Sequence, residues 1–215
     1  ADCWSTTEYG EECYYGSDAA AYTGLIERNG IQIAVIDGIP CRNSDFSFDG
    51  KYYWANDDYT LTELKNNDWT YIDSNSCRGY RYVKDGKILK DCIEKIGAYY
   101  YCFDSNGVMQ TNGVVTIWNP SAKTYYADEN GHLKKNFWFS RSRELTFDKG
   151  NTEPNLYNQI LYFGDNFESC SGFQTIDGKL YYFASHNMVD APSLIIDTTV
   201  TVDQKNYLCL QDGAV

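Results

Sequence analysis

The 215 residues include only four prolines, two histidines and two methionines, and no apolar run approaches membrane-spanning length. The longest, Ile31–Ile36 and residues 194–196, fall far short of the roughly 20 residues that cross a bilayer, so membrane insertion is not expected. Basic residues are also scarce. Eighteen Lys and Arg stand against 30 Asp and Glu, a net charge of −12, and no basic run could lie along a phosphate backbone. That excludes nucleic acid and makes an anionic membrane a poor partner. There is no C-x-x-C pair, no Gly-x-Ser-x-Gly elbow and no glycine-rich phosphate loop, which removes the common redox, hydrolase and nucleotide signatures. None of the 17 asparagines begins an N-glycosylation sequon, which points to a bacterial rather than a eukaryotic secretory origin.

What is present is aromatic. The chain is 43% hydrophobic and 16% aromatic with 20 tyrosines, and only 22% charged, so it has the means to bury a core and is not a disordered tail. Eight cysteines, at 3, 13, 41, 77, 92, 102, 170 and 209, are separated by nine or more residues at every step. Zinc needs closer ligands, and an even count at this density predicts disulfides in an oxidising compartment. The start at Ala1-Asp2 fits a signal peptide already removed.

Aromatic doublets organise the middle of the chain: Tyr52-Tyr53, Tyr80-x-Tyr82, Tyr99-Tyr100-Tyr101, Tyr125-Tyr126, Tyr162-Phe163 and Tyr181-Tyr182. Residues 100–109 align without gaps on residues 124–133, and residues 80–89 form a third copy with a shorter turn. Repeats of this length stack, because one unit cannot bury its own apolar face. Each copy predicts a β-hairpin. The aromatic segment is the first strand, Asn-Gly or Asp-Gly supplies two positive φ angles, and a pair such as Val108-Met109 or Ile88-Leu89 returns. Helix signals are confined to one possible turn at Thr62-Glu63-Leu64-Lys65.

The expected fold is therefore all-β, a solenoid of stacked β-hairpin repeats with disulfide-stabilised β caps. Residues 1–48 form an N-terminal disulfide-rich cap, residues 49–190 an irregular hairpin array with an insertion loop near 140–158, and residues 191–215 a C-terminal cap. In that last segment, 193–202 and 207–210 are two strands of a closing hairpin, and Cys209 is tied to Cys170.

The pattern Gly-x-x-Tyr-Tyr-x-x-Asp-x-x-Gly-x-Met, fullest at 97–109 and partial at 123–133 and 178–183, resembles the cell-wall-binding, choline-binding-type repeats of bacterial surface proteins. Glucan-binding repeats of glucosyltransferases and receptor-binding repeats of secreted toxins are of the same class. The resemblance covers roughly residues 50–190 and implies a hairpin solenoid whose aromatic grooves take choline or sugar rings. A repeat of that class normally has Gly-Trp after the methionine segment and a Trp before the Tyr-Tyr, forming a three-sided aromatic box; this chain departs where Val114 follows Gly113, where Phe137 stands near the second Gly-Trp place, and where Thr124 precedes Tyr125. The cysteines are foreign to most members of that class.

The candidate ligand-binding residues are Trp118, Trp138, Tyr101, Tyr126 and Trp54, with Trp118 and Trp138 foremost as exposed recognition groups. Most other tyrosines are expected to serve cross-strand packing. Asp104 and Asp128 open segments that superficially resemble calcium loops, but position twelve is Val115 or Phe139, so hairpin turns are expected. His132 and His186 sit beside turns with no nucleophile motif, and the acid pair Asp57-Asp58 is what 30 carboxylates produce by chance. No catalysis, cofactor or metal is expected. The sequence predicts a secreted or surface binding module for a glycan or cell-wall polymer; the alternative is a host-protein adhesin on the same scaffold.

Overall fold

The computed structural model describes residues 2–74, 77–118, 121–145, 155–185 and 191–215. Among them there are 22 strands in nine small sheets and no helix. Every sheet pairs antiparallel wherever its register is defined. The chain forms two compact units, Ala1–Glu94 with Phe103–Met109 and Lys95–Cys102 with Gln110–Val215.

Tight Asx-Gly turns behave as the sequence predicts. Asn29-Gly30, Asp37-Gly38, Asp49-Gly50, Asp85-Gly86 and Asp177-Gly178 each have positive φ at both residues, which matches the twist of the strands that they join.

The repeat turns at Asn106-Gly107 and Asn130-Gly131 are built differently. Only the glycine has positive φ, 74° and 81° respectively. The N–H of Asp104 donates to the Val108 carbonyl at 3.0 Å, and that of Gly107 donates back to Asp104 at 2.9 Å. This is a three-residue loop, a type I turn followed by one left-handed residue. The same pair of hydrogen bonds recurs at loops beginning at Thr7, Gly16, Asn56, Asp128, Gly164 and Leu210.

The aromatic strands pair with the segment before them, and Lys51–Ala55, Gly79–Lys84 and Lys179–Ala184 pair with a short strand after them as well. Lys123–Ala127 lies along Gly113–Ile117, with Val114 opposite Tyr126, and its return is a single bridge from Ala127 to Leu133. The next residue of the loop then reaches another hairpin. Leu133 donates to the Tyr100 carbonyl, Ser169 to Thr124 and Val215 to Leu180, each at 2.8 Å, and Met109 donates likewise to Tyr80 in the first unit. Within each unit, hairpins are stitched by one recurrent backbone bond.

Three further expectations are corrected. Thr62-Glu63-Leu64 is strand, because Trp54 and Tyr52 of the Lys51–Ala55 strand pair with Thr62 and Leu64, and Leu64 is buried there. The segment 140–158 is not all loop: Phe137–Leu145 and Asn155–Phe163 pair over nine residues, and 146–154 lie outside the described residues. Residues 193–202 are two strands, not one. Ser193–Leu194 pairs with Lys179–Ala184, Asp197 breaks the chain at φ 51°, and Thr198–Val202 pairs with Lys205–Cys209.

All eight cysteines are free thiols in this structure, so the expected disulfides, Cys170 to Cys209 among them, are not formed. Cys41 packs with Ala34, Phe46, Tyr53 and Ala55, and Cys77 against Trp54, Leu64, Ile72 and Val83. Burial raises the pKa of Cys41, Cys92, Cys170 and Cys209, since a thiolate is poorly solvated there.

Arg81 is the largest fully buried side chain. Its guanidinium lies 3.9 Å from the Trp54 ring, with Nε donating to the Asn106 carbonyl and Nη2 to that of Cys77. Burial lowers its pKa.

Candidate functional site

Six of the hairpins open on an Asn or Asp with positive φ, at 43, 67, 91, 112, 136 and 197. These are the L-residues that tolerate the left-handed region best. The second residue of the following strand then faces a cross-strand neighbour that is usually aromatic. Trp69 lies opposite Tyr82, Val114 opposite Tyr126 and Trp138 opposite Tyr162; Phe173, whose strand opens on positive-φ Gly172 instead, lies opposite Tyr182. The tryptophan place that Val114 leaves empty is thus filled at Trp69 and Trp138.

Around Trp138 this arrangement becomes a cleft. The indole meets Tyr162 at 4.9 Å and Tyr181 at 5.1 Å, and stacks on Phe183 at 5.9 Å with 29° between planes. Trp138 keeps 39% of its surface exposed. A cavity of about 370 Å³ opens beside it, lined by Trp138, Phe139, Ser140, Ile160, Tyr181, Leu194 and Asp212. Leu194 arrives from the short strand paired to Phe183, and Asp212 from the loop that begins at Leu210.

Asp212 supplies the charge. Its Oδ1 accepts from the Ala214 N–H, and Oδ2 is 3.1 Å from Lys179 Nζ. These partners, the backbone N–H first, hold its pKa below the usual carboxylate value. The cleft therefore offers aromatic faces and one anionic acceptor, which suits sugar C–H faces with hydroxyls or a quaternary ammonium.

The first unit holds a similar cluster. Trp69 meets Tyr82 at 5.0 Å and Tyr80 at 6.4 Å, and stacks on Phe103 at 5.9 Å with 24° between planes.

Of the five predicted residues, Trp138 alone lines this cleft. Trp118 is 59% exposed just after the Gly113–Ile117 strand, and Asn119-Pro120 after it, a turn signal in the sequence, lies outside the described residues. Tyr101 is half-buried, edge-on to His132, with its phenol pKa raised by burial. Tyr126 packs against Phe137 and Phe139 beside the Leu161–Phe163–Ala191 core. Trp54 is 2% exposed beneath Arg81 and belongs to the core of the first unit.

Sequence reasoning missed Leu194, Asp212 and Trp69. The positive-φ Asn before the strand is the signal for Trp69; Asp212 is legible only once the three-residue loop is recognised.

Other candidates resolve into structure. Asp104 Oδ1 accepts from the N–H groups of Asn106 and Val108, and Asp128 Oδ1 from those of Asn130 and His132, so these carboxylates fasten loops. Asp58 accepts from the hydroxyl and N–H of Thr60, which lowers its pKa, the opposite of what a glycosidase general acid needs. His132 stacks on Tyr99 at 3.7 Å, and His186 lies outside the described residues.

The crystal structure of choline binding protein F from Streptococcus pneumoniae superposes with a TM-score of 0.53 at 14% identity, covering 99% of this chain and 78% of that one. The fold is that of the choline-binding repeat proteins. The modular autolysin LytC from the same organism is a further neighbour, at 19% identity and a TM-score of 0.41, covering all of this chain and 46% of that one. In sequence, Glucosyltransferase-S of Streptococcus mutans is 32% identical over 117 residues, 49% of this chain. The chain spans 8% of that relative's length. No family model matches. The repeats are of the choline-binding, cell-wall-binding type, and the named relatives include binding proteins and enzymes alike. Among the described residues no helix is long and apolar enough to cross a membrane.

Proposed function

We propose that this chain is a non-catalytic binding module of a bacterial secreted or surface protein, and that it holds a glycan or cell-wall polymer in the Trp138 cleft. The observation that carries the reading is the exposed Trp138 indole, braced by Tyr162, Tyr181 and Phe183 beside the Asp212 carboxylate. A braced ring loses little freedom when a ligand covers it, so its contact area converts well into affinity. A sugar ring presents a C–H face to the indole and a hydroxyl to Asp212. Choline presents its cation to both. The names of the relatives, a glucosyltransferase and a choline-binding protein, favour polymer binding over the host-protein alternative.

The test is calorimetric titration of the folded chain with choline chloride and with dextran, for the parent and for Trp138→Ala. Saturable binding of either, lost in the variant, supports the reading. Silence toward both, or an unchanged variant, removes it.

A further inference from the structure

A second cavity, of about 480 Å³, opens in the first unit, a size typical of small-molecule sites. Asn56, Asp58, Thr60 and Thr62 line it from one loop and the strand that follows, and Tyr71 and Asp73 from the next hairpin. None of these residues stands at a Gly-Trp or Tyr-Tyr place of the repeat class.

The loop backbone repeats that of the Trp138 cleft. In the loops beginning at Asn56 and at Leu210, the first N–H donates to the carbonyl four residues on at 2.8 Å. The third residue of each is an aspartate whose Oδ1 accepts from the N–H two residues further along. Asp58 is thus the counterpart of Asp212. Besides the N–H and hydroxyl of Thr60 and its own backbone N–H, Asp58 has no donor among the described residues. A carboxylate offers about four lone-pair sites, so a ligand hydroxyl can still donate to it. Asn56 Nδ2 donates to the Thr62 hydroxyl at 3.1 Å, and the hydrogen of that hydroxyl has no acceptor among the described residues.

Tyr71 supplies the apolar wall. It is 48% exposed and braced, its ring 5.0 Å from Tyr80, which lies opposite it across the hairpin and in turn meets Trp69 at 6.4 Å. The other lining groups are polar. Asp57 is held by the buried Ser74 hydroxyl at 3.2 Å, and Asp73 pairs with Arg78 at 2.7 Å.

This lining selects among ligands. A hydrocarbon would leave the carboxylate and hydroxyl groups desolvated and unpaired. An anion meets three carboxylates. A quaternary ammonium has no hydrogen to donate to Asp58, and one ring makes no aromatic cage around it. A sugar ring meets every requirement, with a C–H face for Tyr71, a hydroxyl donor for Asp58 and an oxygen acceptor for Thr62.

We propose that Tyr71, Asp58 and Thr62 form a second binding site, one that takes a neutral sugar unit and is closed to choline and to acidic sugars. It shares no residue with the Trp138 cleft and does not rest on it. With a single ring against the several apolar groups of that cleft, it is the weaker of the two, with dissociation constants in the millimolar range.

The test uses Trp138→Ala, which removes the tighter cleft, and calorimetric titration with maltotriose, isomaltotriose and galactotriose. At least one of the three should bind saturably, and a tenfold excess of choline chloride or trigalacturonate should not displace it. Adding Tyr71→Ala to that variant should weaken binding at least fivefold, and adding Asp58→Asn should do the same. Asp58→Asn keeps the loop, because Asn166 already accepts from the Glu168 N–H at the same place in the loop beginning at Gly164. Tyr71→Phe keeps the ring and should stay within twofold. Melting curves of the double variants that match Trp138→Ala show that a site, not the fold, was lost. Absence of trisaccharide binding, displacement by choline or trigalacturonate, or binding that survives either Tyr71→Ala or Asp58→Asn overturns the site.

Discussion

Replacing Trp138 by alanine has two separable effects whose sizes follow from its exposure. The exposed 39% of a residue of about 250 Å² is roughly 100 Å². If ligand covers all of it, burial at about 25 cal/mol/Å² contributes near 2.5 kcal/mol, roughly 60-fold in Kd at 25 °C. The buried remainder acts on stability. Full burial of Trp makes truncation cost about 3–5 kcal/mol, so with roughly three-fifths of this residue buried the cost is about 2–3 kcal/mol. Contacts with Tyr162, Tyr181 and Phe183, at about 0.5–1.5 kcal/mol each, give the same order. Melting should fall by roughly 5–10 °C without loss of the fold. Calorimetric titration and a melting curve on one preparation read both numbers, and Trp138→Phe should fall between parent and alanine on each. A folded Trp138→Ala that binds dextran or choline within twofold of the parent refutes the cleft. So does an equal loss in Trp118→Ala.

Arg81→Ala should cost about 3 kcal/mol in urea unfolding, because it opens a cavity over Trp54 and strips two backbone carbonyls of their donor. Arg81→Met refills that volume and should recover at least half; equal costs would show that packing over Trp54 is not what matters. Gly10→Ala should cost about 1 kcal/mol for its positive φ alone, since nothing lies within 4 Å of the new Cβ. Gly107→Ala, whose Cβ meets the Leu89 carbonyl at 3.0 Å, should cost clearly more, and thermal melts that rank the two the other way refute the loop geometry. The Asp212 pKa is depressed, so its share of stability, and any attraction for a cationic ligand, is present at neutral pH. Both are lost as pH falls through that lowered value, below the usual carboxylate range. The raised thiol pKa values work in the opposite direction. Cys41, Cys92, Cys170 and Cys209 contribute stability that is complete below about pH 8.5 and falls as pH rises above it. Stability measured from pH 3 to 10 checks both limbs. Alkylation with iodoacetamide should reach exposed Cys3 first, and uniform labelling rates would contradict the burial.

The β class, the Asx-Gly hairpins and the repeat type were legible because each rests on local chemistry: period two, positive φ at Asn and Asp, and an aromatic pattern. Strand partnership was not. Tyr125-Tyr126 can pair forward or backward along the chain, and what decides is that Asn130-Gly131 makes a three-residue loop ending in one bridge, while Gly113–Ile117 offers five paired positions. Of the cleft, Trp138 was legible as an aromatic beside a repeat. Asp212 was not, because it lies 74 residues further along the chain and reaches the indole through tertiary packing alone.

The recurrent backbone bonds explain how such a scaffold can change its ligand without changing its fold. Bridging hydrogen bonds from residues 109, 133, 169 and 215 depend on no side chain, so the second position of each hairpin is open to variation. At Trp69 and Trp138 it builds aromatic clusters. At Phe173 the ring packs on Tyr182 and Tyr207. At Asp45 the same place is taken by an ion pair with Lys90. The left-handed loop position varies in the same way, with glycine at 107 and 131 but Phe167 carrying a ring to the surface at a cost in strain. Two positions per repeat are therefore open to variation while the backbone bonds recur, and the valine at 114 in one repeat says little about the aromatic clusters in the next.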